Sequence, residues 1–237
     1  DRSLKEPLDK VGTSVPGNSP TPIAGWGFAP ALAAGNTVVL TPAGLTPLTA
    51  TRLGELALES GIPEGVFTVI AGKGSVVGER FVTHPAVRKI CFTGSTAVGQ
   101  RIMRGAADQV KRITLELGGK SANVIFDDAD IEAAAATAPM SFLDNAGQDC
   151  CARSRILVHR KVFDRFMALL ESAVKAVVVD DPAQEGTGMG PLISAGQRET
   201  VRSYVENSTD PVDVACRGEA PAGDCFWYPA PALLVCS

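Results

Sequence analysis

The chain has 237 residues, 45% of them hydrophobic, and a formal net charge of −4 at pH 7. That length and apolar content suffice for one large domain or two small ones with a buried core. Mild acidity without any run of Lys or Arg argues against nucleic acid or an anionic membrane as partner.

In chain order, Val11-Gly12-Thr13-Ser14-Val15 reads as a strand, polar for its kind, and Asn36–Leu40 as a buried strand ended by Pro42. Thr46 and Pro47 supply an N-cap and a first-turn proline; Leu53, Leu56 and Ala57 recur at helical spacing, and Gly61 is the expected C-cap. A second unit runs from strand Val66–Ile70 into a helix ending near Phe81. A third runs from strand Lys89–Phe92 through the loop Thr93-Gly94-Ser95 into a helix ending near Ala107.

Strands Arg112–Leu117 and Ala122–Phe126 follow, then an Ala-rich helix from Asp130 that leads into a cysteine segment. Arg155–His159 reads as a strand, Lys161–Val177 and Ala195–Glu206 as helices, and Asn207–Asp224 as loop. Strands alternating with helices predict an α/β architecture with a Rossmann-type parallel sheet. Composition shifts at Gly118-Gly119, which predicts one domain over 1–117 and another over 118–237.

The longest apolar stretches, Ala29–Leu40 and Ala133–Ala138, are too short or too Ala-rich to span a bilayer, and the start is not signal-like. A soluble, cytoplasmic protein is expected. The chain opens on Asp1 and stops just after the strand-like Ala232-Leu233-Leu234-Val235, which reads as a piece of a longer chain.

Six cysteines without a C-x-x-C pair, in a chain this long, read as reduced thiols rather than staples. Two histidines, His84 and His159, argue against a metal site or a Ser-His relay. Chemistry must then run on Cys, Asp, Glu, Lys or backbone groups. Two strings offer it. Gly147-Gln148-Asp149-Cys150-Cys151-Ala152-Arg153-Ser154-Arg155 carries a thiol, and Leu115-Glu116-Leu117-Gly118-Gly119-Lys120 carries a carboxylate. Covalent catalysis at a carbonyl uses a sulfur nucleophile and a base that activates water. A third string, Phe92-Thr93-Gly94-Ser95-Thr96-Ala97-Val98-Gly99, puts small residues where a strand turns into a helix, a place suited to phosphate.

Together these strings, with Pro30–Leu40, resemble the aldehyde dehydrogenase superfamily over nearly the whole chain, as its central portion. The likeness is greatest to the branch acting on betaine aldehyde or aminoaldehydes. It implies a nicotinamide-cofactor domain, incomplete at its start, and a catalytic domain truncated at its end. It also implies oxidation of an aldehyde to a carboxylic acid, with Cys150 as nucleophile, Glu116 as base for thioester hydrolysis and Asn18 as oxyanion donor. Gly94, Ser95, Gly99, Thr41 and Leu117 are the implied cofactor-binding positions.

The partners implied are a small aldehyde and, as in relatives, further copies of the chain. Thr41 and Gly44 stand where the family shows a lysine and a glutamate that hold the adenosine ribose. Each lost hydrogen bond to a charged group costs about 1.5–3 kcal/mol, or roughly tenfold to a hundredfold in affinity. Without that lysine NAD is expected over NADP. Gly17 and Ser19 replace aromatics beside Asn18, Gly27 stands where many relatives carry lysine, and Trp26 is a candidate pocket wall. The alternative expectation is a catalytically silent relative or fragment that serves as a binding or assembly module.

Overall fold

The computed structural model describes residues 6–207, 212–223 and 225–235. The chain divides into two compact units, Asp1–Gly118 and Gly119–Ser237.

In the first unit, β1 (Lys10–Ser14), β2 (Thr37–Thr41), β3 (Phe67–Val69), β4 (Val87–Gly94) and β5 (Arg112–Leu117) form an all-parallel sheet in the order β3-β2-β1-β4-β5. The crossovers are helices α1 (Pro20–Ala33), α2 (Leu48–Glu59), α3 (Gly74–Thr83) and α4 (Thr96–Ala106). Ile23, Ala24, Ala50 and Ala57 of α1 and α2 close one face over Val11, Val38 and Leu40. Phe81, Val82, Ile102 and Ala106 of α3 and α4 close the other over Ile90, with Val39, Phe92 and Ile113 against them. Strands buried on both faces read as continuous apolar runs, as Thr37-Val38-Val39-Leu40 does. The strand order reverses between β1 and β4, so this doubly wound sheet has its ligand crevice beyond the carboxyl ends of those two strands.

Helix α1 departs from the sequence expectation, which placed no helix before Asn36. Its three prolines and two glycines are poor helix formers. Pro20 and Pro22 fall in the first turn, where a missing N–H costs nothing. Burial of Ile23, Ala24 and Gly27 against the sheet outweighs the rest. Gly61 has φ +87° and sits one residue past the C-cap, Ser60, where a left-handed residue ends a helix.

In the second unit, β6 (Ala122–Ile125) pairs in parallel with β7 (Arg155–Val158), and α5 (Ile131–Leu143) and α6 (Phe163–Lys175) pack beside them. Phe166, Leu170 and Val174 of α6 meet Ile131, Ala135, Ala138 and Leu143 of α5 in one apolar core. Asp130 caps α5, its side chain accepting from the Ala133 N–H at 3.0 Å. Helix α7 covers Ala195–Glu206, as the sequence spacing predicts.

The segment expected to be loop, Asn207–Asp224, contains β8 (Val212–Arg217), which pairs antiparallel with β9 (Pro231–Val235). Alternating apolar and polar residues in Val212-Asp213-Val214 carry that strand, but its ladder depends on a partner distant in sequence. Residues 208–211 and 224 of this segment lie outside the described residues, as does Cys236.

Candidate active site

In the first unit a cavity of about 140 Å³ opens at the sheet's switch point. Thr13 and Ser14 line it from β1, Cys91, Phe92 and Thr93 from β4, and Thr114 and Glu116 from β5, while Ile23, Trp26 and Gly27 of α1 close it. Parallel register explains the grouping: Thr13 pairs with Cys91, Cys91 with Thr114, and Thr93 with Glu116. Thr114 and Glu116, two apart on one strand, therefore share a face. Trp26 is 65% exposed and forms a wall of this cavity rather than part of the core. Burial pushes the Cys91 thiol above its ordinary range, against the pull of the nearby Lys89 ammonium.

The small-residue loop turns from β4 into α4. Ser95 is the N-cap, its hydroxyl accepting from the Val98 N–H at 3.4 Å. Gly94 lies under the Phe92 ring, where a Cβ would come within 2.6 Å of the ring; a Cβ at Gly99 would lie 2.9 Å from the Leu117 side chain. Leu117 thus acts from β5 by fixing how closely α4 approaches the sheet. Thr41 ends β2 and is only 1% exposed, with an Oγ1 that has no hydrogen-bond partner. Its side chain is closed to solvent, contrary to a direct ribose contact. Gly44 is exposed and faces open space. Asn18 is half-buried in the turn immediately before Ser19, the N-cap of α1.

In the second unit the cysteine segment leaves α5 through a left-handed turn. Asn145, Ala146 and Gly147 have φ of 50°, 56° and 72°. For Ala146 that conformation costs about 1–2 kcal/mol. Two hydrogen bonds from side-chain amides hold it: Asn145 Nδ2 donates to the Gln148 carbonyl at 3.3 Å, and Gln148 Nε2 donates to the Asn145 carbonyl at 3.0 Å. Gln148 Oε1 also accepts from the Ile193 N–H at 3.0 Å, which ties the turn to a distant loop. Backbone strain supported on several sides is a recurring mark of sites that must present one residue accurately.

Cys150, three residues past Gly147, is half-buried, and its carbonyl oxygen stands 3.3 Å from where a Cβ on Gly119 would be. Its neighbour Cys151 is exposed and donates from Sγ to Asp149 Oδ2 at 3.1 Å. This hydrogen bond, together with the carboxylate charge, pushes the Cys151 thiol above its usual range. One carboxylate thus holds Cys151 in its thiol form. A second cavity, of about 300 Å³, runs past Cys151, Asp149, Phe142 and Arg153. Asp149, Cys150 and Cys151 place three donor atoms within 4.8 Å of one another, all from one turn.

Replacing Asp149 by Asn removes the charge that holds Cys151 protonated. Its alkylation by iodoacetamide near pH 8 is expected to speed up several-fold, because more thiolate is present at that pH. Peptide mass spectrometry of timed samples reads Cys151 separately from Cys150; an unchanged Cys151 rate contradicts this electrostatic account.

Of the residues singled out from sequence, Asn18, Thr41, Gly94, Ser95, Gly99, Glu116 and Leu117 lie in the first unit and Cys150 in the second. Glu116 and Trp26 meet at one cavity. Sequence reasoning passed over Thr13, Cys91 and Thr114 as site residues. The available signal was the polar Thr13-Ser14 pair in a strand that is otherwise buried.

A model of the aldehyde dehydrogenase family matches residues 2–234. The chain belongs to the aldehyde dehydrogenase family. It is 42% identical over 230 residues to the mitochondrial aldehyde dehydrogenase of Leishmania tarentolae, covering 97% of this chain and 46% of that protein. It is 44% identical over 205 residues to betaine aldehyde dehydrogenase 1 of Oryza sativa subsp. japonica, covering 86% and 41%.

Among solved structures of the family, betaine aldehyde dehydrogenase from Staphylococcus aureus in complex with NAD+ superposes with a TM-score of 0.94 at 38% identity. That match covers 99% of this chain and 47% of the other. The NAD+ complex of aldehyde dehydrogenase from Bacillus cereus gives 0.92 at 38% identity over 96% and 47%. The chain thus spans under half the length of the curated relatives it matches. No helix among the described residues is long and apolar enough to cross a membrane.

Proposed function

We propose that the chain is the cofactor-binding and nucleophile-bearing part of an NAD-dependent aldehyde dehydrogenase that oxidises a small aldehyde to a carboxylic acid. The observation that carries this reading is the strained, doubly stapled turn that presents Cys150 beside a neighbour kept protonated by Asp149.

Cys150 adds to the aldehyde carbon, and the resulting oxyanion needs donors, for which its own backbone N–H and the Asn18 amide are the candidates. When bound, the nicotinamide cofactor supplies the two-electron oxidant that turning a thiohemiacetal into a thioester requires. Glu116 then takes a proton from the water that attacks the thioester, releasing the acid and restoring the thiol.

The β4–α4 turn suits the cofactor's pyrophosphate through the backbone N–H groups of the α4 N-terminus, while Gly94 and Gly99 let the turn and α4 pack closely against Phe92 and Leu117. At the adenosine ribose the fit is poorer, since Thr41 is enclosed and Gly44 has nothing to offer. Replacing Gly44 by Glu, into open space, is expected to tighten NAD binding roughly tenfold or more by restoring an acceptor for ribose hydroxyls. Isothermal titration calorimetry checks this, and unchanged affinity argues against a ribose at this loop.

The deciding test is NADH formation by the 237-residue chain with excess NAD and a panel of aldehydes including betaine aldehyde, run beside p-nitrophenyl acetate hydrolysis. Oxidation supports the reading in full. Ester cleavage alone leaves a working thiol on a chain whose cofactor half has lapsed, the outcome that Thr41 and Gly44 favour. Neither activity in a folded chain favours the silent module.

A further inference from the structure

Scarce histidine argues against an imidazole metal site, yet a carboxylate and two thiols meet on one turn of the second unit. The ligand atoms of Asp149, Cys150 and Cys151 all lie within 4.8 Å of one another. In a tetrahedral zinc site, bonds of about 2.3 Å to sulfur and about 2.1 Å to oxygen hold neighbouring ligand atoms about 3.6–3.8 Å apart. The donors of this turn need to close by about 1 Å at most. The Cys151 Sγ and Asp149 Oδ2 pair, at 3.1 Å, needs to open by only about 0.5 Å. The proton now shared by that thiol and carboxylate stands where a dication would bridge them.

The backbone is fixed before any ion arrives. The Ala152 N–H donates to the Asp149 carbonyl at 3.4 Å and closes the turn that carries all three donors. On its N-terminal side, Gln148 Oε1 accepts from the Ile193 N–H at 3.0 Å. On its C-terminal side, the Arg153 N–H donates to the Ser141 carbonyl at 2.8 Å. Donors already held in place lose little freedom on binding. The cavity of about 300 Å³ lined by Asp149 and Cys151 gives an ion a way in and leaves room for a water as fourth ligand.

We infer that Asp149, Cys150 and Cys151 form a binding site for a thiophilic divalent cation such as Zn²⁺, and that its occupation switches the Cys150 thiol off. Two thiolates select Zn²⁺ or Cd²⁺ over Mg²⁺ and Ca²⁺, which prefer oxygen ligands. On binding, each thiol gives its proton to solvent, the two sulfurs each form a bond to the ion, and an Asp149 oxygen forms the third. No electron is transferred. Three anionic ligands around a dication leave one net negative charge, and Arg153 lines the same cavity. The loss of activity rests on the reading of Cys150 as nucleophile, because a sulfur bonded to the ion has no free thiolate to offer an aldehyde. The binding itself does not rest on it.

The test titrates Co²⁺, a coloured stand-in for Zn²⁺, into the 237-residue chain kept reduced with a phosphine. One tight equivalent is expected, with the visible bands of a tetrahedral ion and a sulfur-to-metal charge-transfer band, both displaced by Zn²⁺. Cys151→Ser and Asp149→Asn, near-isosteric changes, are each expected to weaken binding about a hundredfold, the upper range for a residue that merely supports a ligand. Cys225→Ser, which removes an exposed thiol outside the turn, is expected to leave it unchanged. An octahedral spectrum, or an affinity that neither Cys151→Ser nor Asp149→Asn lowers, overturns the proposal.

With p-nitrophenyl acetate, one equivalent of Zn²⁺ is expected to abolish hydrolysis by the parent chain and a chelator to restore it. Cys151→Ser is expected to need about a hundredfold more Zn²⁺ for the same inhibition. Full ester hydrolysis by the Zn²⁺-loaded parent overturns the proposal. A metal-free parent that cleaves no ester is a failure of the Cys150 reading instead, and the Co²⁺ titration then decides the metal site by itself.

Discussion

Replacing Cys150 by Ala is expected to reduce both NADH formation and p-nitrophenyl acetate hydrolysis by about 10⁴-fold or more, the scale of losing a covalent nucleophile. Replacing Cys151 by Ala is expected to leave both within about tenfold. The asymmetry follows from geometry. Cys151 is exposed and committed to Asp149 Oδ2, which keeps it in the unreactive thiol form, and only the thiolate attacks. Cys150 follows a turn held by two reciprocal hydrogen bonds between Asn145 and Gln148 and a third that Gln148 accepts from the Ile193 N–H. Steady-state rates of the two variants on one ester and one aldehyde settle the assignment. Equal loss in both, with folding intact, would show that the two thiols act as a unit.

Replacing Glu116 by Gln carries the second large effect. General-base assistance is worth about 10²–10⁴-fold, and that loss is expected to fall on hydrolysis of the acyl intermediate. The initial burst of p-nitrophenol should remain, with an acetyl group trapped on Cys150 and visible by intact mass. Glu116 sits at the carboxyl end of β5 opposite Thr93 of β4, on the cavity face of the sheet. A variant that loses the burst as well would assign Glu116 to activation of the thiol rather than of water.

Much of the fold was legible because its signals are local. The spacing of Leu53, Leu56 and Ala57, the apolar run Val38-Val39-Leu40 and the glycines at Gly61 and Gly94 each report on backbone within a few residues. Helix α1 was not legible, since its prolines and glycines speak against a helix and only burial of Ile23 and Ala24 against the sheet overrides them. Strand β8 was missed for the same kind of reason: its partner lies beyond a loop.

At the candidate site, the proposal of Cys150 and Glu116 rests on the strings around them. The enclosure of Thr41 could not, because β2 exposes or buries its last residue according to how the following turn folds over it. Nor could the Asp149–Cys151 bond, which depends on side-chain directions within a turn of unusual backbone.

The close approach of Gly27 to Thr13, 2.4 Å from a Cβ built on Gly27 to Thr13 Cγ2, also restricts which substitutions the two positions accept. With Thr13 in place, any side chain at position 27 collides with Cγ2, whereas a serine at 13 leaves only the Oγ and Cβ approaches of 3.2 and 3.4 Å. Exchange at the two positions is therefore ordered. Shrinking Thr13 first avoids the clash, whereas growing Gly27 first passes through an overpacked intermediate costing about 1–3 kcal/mol. A side chain at position 27 is therefore accommodated more readily after Thr13→Ser than before it.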